Sequence, residues 1–175
     1  MKSRLVILDA NIVIAAFRGG FWKSIIAQYQ VNIPSIVLHQ EVYHYVDENE
    51  QKVPIDLVQY IAAGKIQEIS AKPQEIAYLE EKVNPNFLDR IDDGEKEAIA
   101  LLLTGNFDEH RYCTADTRAI KALASLNLGA FGVSLEELLS KIGEAKKLPD
   151  ESYSKRAFDL KKAQGLQEQS MFLKS

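Results

Sequence analysis

The chain has 175 residues, 46% of them hydrophobic, and its 21 basic and 25 acidic side chains give a net charge of −4. This length fits one domain, or one domain with a tail, and the apolar share is enough for a core. This negative net charge excludes the class of proteins that bind nucleic acid through an overall positive charge, but it leaves open a nucleic-acid enzyme whose active site is acidic.

The cysteine content and the N-terminal region indicate the compartment. The one cysteine, Cys113, excludes an intrachain disulfide and predicts a reducing, cytoplasmic location. Lys2 and Arg4 precede an apolar run, as in a signal peptide, but Asp9 and Asn11 interrupt that run. Since no apolar run approaches membrane-spanning length, we expect no association with a membrane.

Strand-like and helix-like segments alternate through the first half of the chain. The pattern predicts strands over 4–8, 31–33 and 66–69, and helices over 11–17, 21–30, 35–46, 54–63 and 73–83. Ser35, after Pro34, is the expected N-cap of the helix over 35–46, and Gly64 ends the helix over 54–63. Residues 47–52 are expected to form a loop, and residues 84–86 a turn.

The second half continues this alternation. Asp93 and Gly94 open a predicted helix that runs to about Leu103, with Asp93 as its candidate cap. Strands over 111–115 and 129–133 flank a helix over 117–126, and Ser134 begins another helix with Glu137 at the capping-box spacing. The whole pattern predicts an α/β fold: a three-layer sandwich with a central, mostly parallel β-sheet flanked by helices.

The chain changes character after residue 148. It becomes charged, with sparse apolar residues, which predicts a domain over 1–148 and a C-terminal helical tail over 149–175. We expect this tail to pack on the domain or on a partner and to fray at its end.

Four acidic residues stand beside distinctive local patterns. Asp9 and Asp116 come directly after predicted strands, where the functional side chains of an open α/β sheet gather. Glu41 and Glu97 lie within predicted helices. Carboxylates among apolar residues are costly to bury unless they are paired or bind a cation. Four that converged would repel one another until a hard divalent metal neutralised them.

Such a cluster is suited to the hydrolysis of phosphodiesters. Mg²⁺ and Mn²⁺ prefer oxygen ligands and keep several waters. A bound metal lowers the pKa of a water and offsets the charge that builds on the phosphate during in-line attack. Two ions about 3.5–4 Å apart would do both, and no serine, cysteine or histidine nucleophile would be required.

The sequence resembles the PIN-domain family of metal-dependent ribonucleases over about residues 4–140. Four motifs carry the resemblance, in the order in which the family has them. They are Leu8-Asp9-Ala10-Asn11-Ile12, the acidic Glu41 after Pro34-Ser35, the Gly-Glu-x-Glu-Ala-Ile-Ala run from Gly94 to Ala100, and Thr114-Ala115-Asp116 with Arg118 just beyond.

This resemblance implies a site and an activity. The implied catalytic metal ligands, direct or through water, are Asp9, Glu41, Glu97 and Asp116, and the implied cofactor is Mg²⁺ or Mn²⁺. Asn11 and Thr114 would be polar supports. The third motif leaves Asp92, Asp93 and Glu95 open as ligands beside Glu97, and we assign Asp93 and Glu95 a supporting role. The implied activity is endoribonucleolytic cleavage of RNA.

The resemblance also has implications for partners. It implies a homodimer and, because many relatives are toxins of toxin–antitoxin pairs (the VapC type), a small antitoxin protein. The tail extends beyond the compact toxin pattern, which weakens the toxin inference more than the nuclease inference. Five basic residues could line a groove for RNA phosphates or be ordinary solvated charges: Lys23, Arg90, Lys96, Arg118 and Lys121. Among them, Arg118 is the candidate substrate contact.

Two other functions stay open. One is a non-catalytic RNA- or protein-binding module on the same fold, which the acidic charge and the tail would suit. The other is a phosphotransfer enzyme with Asp9 as nucleophile. The Asp-x-Asp-x-Thr arrangement of one such family is absent, because Asn11 and Val13 occupy its second and third defining positions.

Overall fold

A parallel β-sheet forms the centre of the molecule. The structure is a computed structural model that describes residues 5–144 and 147–174. The strands of the sheet are β1 (Leu5–Leu8), β2 (Gln30–Pro34), β5 (Ile66–Ile69), β6 (Arg111–Cys113) and β7 (Gly132–Val133). They lie in the order β5-β2-β1-β6-β7, and every neighbouring pair is parallel. Arg4, the first residue of the predicted first strand, lies outside the described residues.

Helices cover both faces of this sheet. They are α1 (Ala10–Arg18), α2 (Trp22–Gln28), α3 (Val58–Ala62), α4 (Pro73–Lys82), α5 (Pro85–Leu88), α6 (Asp93–Leu103), α7 (Thr117–Ser125), α8 (Leu135–Ser140), α9 (Lys155–Gln167) and α10 (Gln169–Phe172). Side chains alternate across β1, so Val6 and Leu8 enter a core with α1, α2 and α8. Ile7 enters a second core with α4, α6 and α7. The predicted three-layer α/β fold with a parallel central sheet is confirmed.

The segment between β2 and α3 differs from its prediction. In place of a helix over 35–46, Val37–Glu41 forms a π-helical turn, and His44–Val46 forms β3, which pairs antiparallel with β4 (Lys52–Pro54). Ser35 does not cap a helix, because its hydroxyl donates to a Glu97 carboxylate oxygen at 3.0 Å. The loop of the hairpin is held by Asp47, whose Oδ1 accepts from the backbone N–H groups of Asn49 and Gln51, both at 2.9 Å.

Two further segments differ from their predictions, one because of that hairpin and one because Asn84 caps a short helix. The helix expected over 54–63 is reduced to α3, since Pro54 belongs to β4. The turn expected at 84–86 is the start of α5, where the Asn84 side chain accepts from the Asn86 N–H at 3.1 Å.

The C-terminal segment packs on α7. The helices α7 and α9 approach closely at Gly165, where an added Cβ would lie 2.6 Å from the Lys121 carbonyl oxygen. Phe158 and Phe172 are buried, and the Phe172 carbonyl accepts from the Asn84 N–H at 2.8 Å. Through residue 174, the end of the chain is therefore hydrogen-bonded in place, in contrast to the expected fraying.

Across residues 5–144 and 147–174, no helix has both the length and the apolar character that crossing a bilayer requires.

Candidate functional site

Asp9 lies at the carboxyl edge of the sheet, directly after the central strand. It caps α1: its Oδ1 accepts from the Ala10 N–H at 2.7 Å, and its Oδ2 accepts from the Thr114 hydroxyl at 2.6 Å. Burial, and to a smaller extent the charges of Glu41 and Asp116, raise the pKa of Asp9 to about 7 against the lowering effect of the two hydrogen bonds. The Asp9 carboxylate is only 3% exposed and lies close to two other negatively charged side chains.

Asp116 lies at the same edge, after the neighbouring strand β6. It caps α7, and its Oδ1 accepts from the N–H groups of Arg118 at 2.6 Å and Ala119 at 3.1 Å. Thr114 joins the two aspartates, since its hydroxyl donates to Asp9 and accepts from the Asp116 N–H at 3.1 Å. The pairing of β1 with β6 brings these residues together although they are more than one hundred positions apart in the chain.

The two expected polar supports both lie at this junction. Thr114 makes the contacts just described, and Asn11 accepts a 3.4 Å hydrogen bond from the Ala115 N–H. Together they tie the start of α1 to the loop that carries Asp116.

Glu41 reaches the site from the end of the π-helical turn. Its Oε1 accepts from the Gly94 N–H at 3.1 Å, at the N-terminus of α6, where the helix dipole favours negative charge. Burial raises the pKa of Glu41, and Asp92, Asp93 and Glu97 raise it further. An added Cβ at Gly94 would lie 2.7 Å from Glu41 Oε2, so only glycine lets this carboxylate approach the helix so closely.

Glu95 is the acidic residue of α6 that faces the two aspartates. It is 4% exposed, and burial followed by the charges of Asp9 and Asp116 raises its pKa to about 9. Its Oε2 accepts from the Asp92 N–H at 3.2 Å. Asp92 is the N-cap of α6, so the expectation that Asp93 caps this helix is wrong. Asp93 is the exposed first residue of α6 and pairs with Lys96 at 2.9 Å.

Glu97 is turned away from Glu95. Two residues correspond to a rotation of about 200° around an α-helix, so the two side chains leave α6 on opposite sides. The buried Glu97 carboxylate accepts from the Ser35 hydroxyl at 3.0 Å, the Ile36 N–H at 3.1 Å and the Ala71 N–H at 3.0 Å. It thereby joins the segments that follow β2 and β5.

The carboxylate oxygens of this cluster are the type of ligand that a hard divalent cation prefers. No salt bridge within the described part of the chain involves the four carboxylates of the cluster, those of Asp9, Glu41, Glu95 and Asp116. Their charges therefore lack a cationic partner there. Yet over those same residues no group of three or more Asp, Glu, His or Cys side chains is placed to hold a metal ion. The oxygen chemistry therefore matches Mg²⁺ or Mn²⁺, whereas the side chains would have to draw together to form a coordination shell.

Two residues that sequence reasoning missed also lie at the site. Tyr112 is buried, and burial followed by the charges of Asp9 and Glu95 raises its pKa well above the usual range. Thr114 partly offsets that rise, but the Tyr112 hydroxyl has no hydrogen bond of regular geometry to any described residue. Lys161 of α9 donates to the Ala115 carbonyl at 2.7 Å. Strand alternation could have placed Tyr112, but no local signal pointed to Lys161.

Arg118, the expected substrate contact, lies on the first turn of α7 just past Asp116. It is exposed, and its Nη1 donates to the Arg90 carbonyl at 2.7 Å. Its guanidinium thus points towards the loop between α5 and α6.

Comparison with models of known protein families and with curated proteins finds no match to this chain. The family resemblance therefore stays a prediction that the four motifs alone carry.

Proposed function

We propose that this protein is a PIN-like endoribonuclease that uses Mg²⁺ or Mn²⁺ to hydrolyse RNA phosphodiester bonds. The observation that supports it most is the gathering of four carboxylates near the carboxyl edge of the sheet, those of Asp9, Glu41, Glu95 and Asp116. Asp9 and Glu95 are buried, and none of the four has a salt-bridge partner among the described residues. The charge of Asp116 raises the pKa of both Asp9 and Glu95, and the charge of Asp9 raises that of Glu95 as well, which is the behaviour of a cluster that a cation would neutralise.

In this proposal the metal ligands are Asp9, Glu41 and Asp116 together with Glu95. Glu95 takes the place first expected for Glu97, because its carboxylate faces the aspartates. Glu97 keeps a structural role, since three donors from two other segments already hold its oxygens.

The side chains around the cluster have separate tasks in this reaction. A bound metal supplies a water of lowered pKa and offsets charge on the phosphate. Thr114 holds Asp9 in one orientation, and Asn11 holds the loop before Asp116. In the metal-free protein, Glu95 carries a proton at neutral pH, because its pKa is about 9.

Partners and location extend the proposal. The substrate class is single-stranded or loop RNA, the assembly is a homodimer, and a small antitoxin protein is the candidate inhibitor. A reducing cytoplasm is the proposed compartment, in keeping with the one buried thiol at Cys113.

Cleavage of RNA by purified protein tests the proposal. Wild-type protein should cleave RNA with Mg²⁺ or Mn²⁺ and lose this activity in EDTA, and Asp9→Asn should abolish it. The matched control is Asp108→Asn, an exposed aspartate in the loop that leads into the amino-terminal end of β6, which should cleave normally. Cleavage that survives both EDTA and Asp9→Asn would overturn the proposal.

A non-catalytic RNA- or protein-binding module is the second candidate. The finding that favours it is that no group of acidic side chains in the described residues is closed around a metal position. This candidate predicts binding without turnover. It is excluded if metal-dependent cleavage is present and disappears in Asp116→Ala.

A further inference from the structure

A cavity of about 160 Å³ lies at the first turn of α7, which follows Asp116 of the acidic cluster. Three parts of the chain enclose it: the region of α5 and the loop after it, the first turns of α7, and the C-terminal helices. Its lining residues are Phe87, Arg90, Ile91, Thr117, Arg118, Lys121, Glu168 and Phe172. Thr117 and Arg118 directly follow Asp116, so one wall of the cavity continues from the candidate site.

The cavity combines an aromatic surface with positive charge. The rings of Phe87 and Phe172 lie with their centroids 5.6 Å apart, and the Arg90 guanidinium lies 6.0 Å from the Phe87 ring centre. Three of the lining residues are basic, namely Arg90, Arg118 and Lys121. In a chain with a net charge of −4, this concentration of cations next to carboxylates is suited to an anionic ligand.

Among the described residues, two of these cations form no salt bridge with a carboxylate. Lys121 pairs with Glu168 at 2.7 Å. Arg118 donates to the Arg90 carbonyl, which carries no net charge, and neither arginine is in a salt bridge within residues 5–144 and 147–174. Their guanidinium groups therefore keep donors of the kind that bind phosphate in a bidentate manner.

We propose that this cavity binds one nucleotide of single-stranded RNA next to the scissile phosphate. The base lies against Phe87 and the neighbouring phosphate is held by Arg90 and Arg118. The volume supports a single base, because pockets for drug-sized ligands run from about 300 to 1,000 Å³. Stacking on an aromatic ring accepts any base, so the subsite adds affinity more than sequence specificity. This inference rests on the proposed nuclease function.

The subsite gives the C-terminal segment a role. Glu168 and Phe172 supply one wall of the cavity, and Lys161 supports the loop that carries Asp116. Residues beyond the region of family resemblance thus complete the binding surface. Glu168 also keeps Lys121 at the side of the cavity, which leaves the two arginines as the phosphate contacts.

Equilibrium binding of RNA tests the subsite without requiring cleavage. A fluorescein-labelled single-stranded oligoribonucleotide is titrated by anisotropy with full-length Asp9→Asn protein in EDTA, at several salt concentrations. Adding Arg90→Gln or Arg118→Gln should weaken binding by about tenfold and lower the salt slope by about one unit. Arg118→Lys should recover part of the loss, and Phe87→Leu should weaken binding without changing the salt slope.

The control is Lys65→Gln, an exposed lysine directly before the amino-terminal end of β5, at the edge of the sheet opposite the acidic cluster. Circular dichroism checks that each variant is folded. Oligonucleotide binding that is absent, unchanged by both arginine variants, or weakened equally by Lys65→Gln overturns the subsite. Cleavage by wild-type protein alongside such a result leaves the nuclease proposal standing. Arginine-dependent binding without cleavage by wild-type protein would overturn the nuclease proposal and the position beside a scissile phosphate, and would leave only an RNA-binding site in this cavity.

Discussion

Glu95 and Glu97 lie two positions apart on α6 and have different surroundings. Glu95 faces Asp9 and Asp116, whose charges raise its pKa, whereas Glu97 is held by hydrogen bonds from Ser35, Ile36 and Ala71. A buried carboxylate with three donors stabilises the fold, while one among like charges destabilises it until a cation binds. Substitution by glutamine should therefore affect mainly stability at Glu97 and mainly activity at Glu95.

We expect Glu97→Gln to lower the free energy of unfolding by about 1–3 kcal/mol, because the amide turns an N–H₂ group towards backbone donors. Glu95→Gln should not lower stability at pH 8 but should abolish cleavage. Urea unfolding and an RNA cleavage assay on both variants measure this. If Glu95→Gln is active while Glu97→Gln is stable and inactive, the metal ligand is Glu97 and not Glu95.

The raised pKa values predict how stability depends on pH in metal-free protein. The pKa of Asp9 rises from 3.8 to about 7 and that of Glu95 from 4.5 to about 9, so between these limits the folded state keeps protons that the unfolded state has released. The free energy of unfolding must then fall as pH rises. We expect a loss of at least about 1 kcal/mol between pH 5 and pH 9 in EDTA.

Urea unfolding across that pH range measures this loss. Asp9→Asn should flatten the curve, and Mg²⁺ or Mn²⁺ should restore stability at high pH, because a cation favours the charged carboxylates. Stability that rises with pH in EDTA would contradict the proposed repulsion within the cluster.

Gly94 sets the position of Glu41. A Cβ at residue 94 would lie 2.6 Å from Val37 Cγ2 and 2.7 Å from Glu41 Oε2, and the carboxylate is the more easily displaced. We expect Gly94→Ala to reduce cleavage at least about tenfold through misplacement of Glu41. In a Glu41→Gln background the same substitution should have little further effect, and a full additional loss there would exclude this route.

At the scale of elements, the packing of α9 on α7 depends on one small residue. An added Cβ at Gly165 would meet the Lys121 carbonyl oxygen at 2.6 Å and the Lys121 Cα at 2.7 Å. Both are backbone atoms, so the helices themselves would have to separate.

We expect Gly165→Val to lower the free energy of unfolding by about 1–3 kcal/mol, as overpacking does. Ala163→Val, at an exposed position of the same helix, is the control and should change it far less. Thermal and urea unfolding compare the two. Equal effects would mean that valine's helix propensity, not the contact with α7, is responsible.

The π-helical turn and the hairpin after it show how elements depend on distant partners. Residues 35–46 have a pattern typical of a helix, but Glu97 takes the Ser35 hydroxyl, and β4 pairs with the end of the segment. π-Helical turns are frequent at functional sites, and this one ends at Glu41. Only contacts from other segments determine that geometry.

At the scale of the whole molecule, the C-terminal helices complete one of the two cores. Phe172 lies in the same core as Ile7, Leu79 and Ile99, and the buried Phe158 ring lies against Gly132. The sequence predicted a boundary near residue 148 and a tail that packs on the domain or on a partner, and both buried phenylalanines lie in that tail.

Truncation after residue 148 should therefore strongly destabilise the domain. Each buried phenylalanine contributes about 1.5–3 kcal/mol, a large share of the stability of a domain of this size. The truncated chain should unfold at a much lower temperature or fail to fold. Phe158→Ala should be destabilising and Leu160→Ala, at an exposed position of α9, nearly neutral. A truncated chain as stable as the full one would show that the tail is only appended.

The central sheet was predictable because its signals are local. Short, β-branched apolar runs such as Leu5–Leu8 favour strands, and their alternation with helices favours a parallel sheet. The placement of Asp9 and Asp116 at one edge followed from that topology, since the carboxyl ends of neighbouring parallel strands meet there.

The sequence by itself determined the α/β layers, the strand-end aspartates and the separation of Glu95 from Glu97 on α6. Helical geometry requires those two glutamates to point apart, but it does not say which one faces the aspartates. That was decided by the hydrogen bonds that Glu97 accepts from the segments after β2 and β5. Likewise, the packing of the C-terminal segment on α7 decided that Glu168 and Phe172 enclose one side of the cavity next to Asp116. The physical reason is that local propensity acts over a few residues, whereas these contacts join segments that are 26 to 62 positions apart.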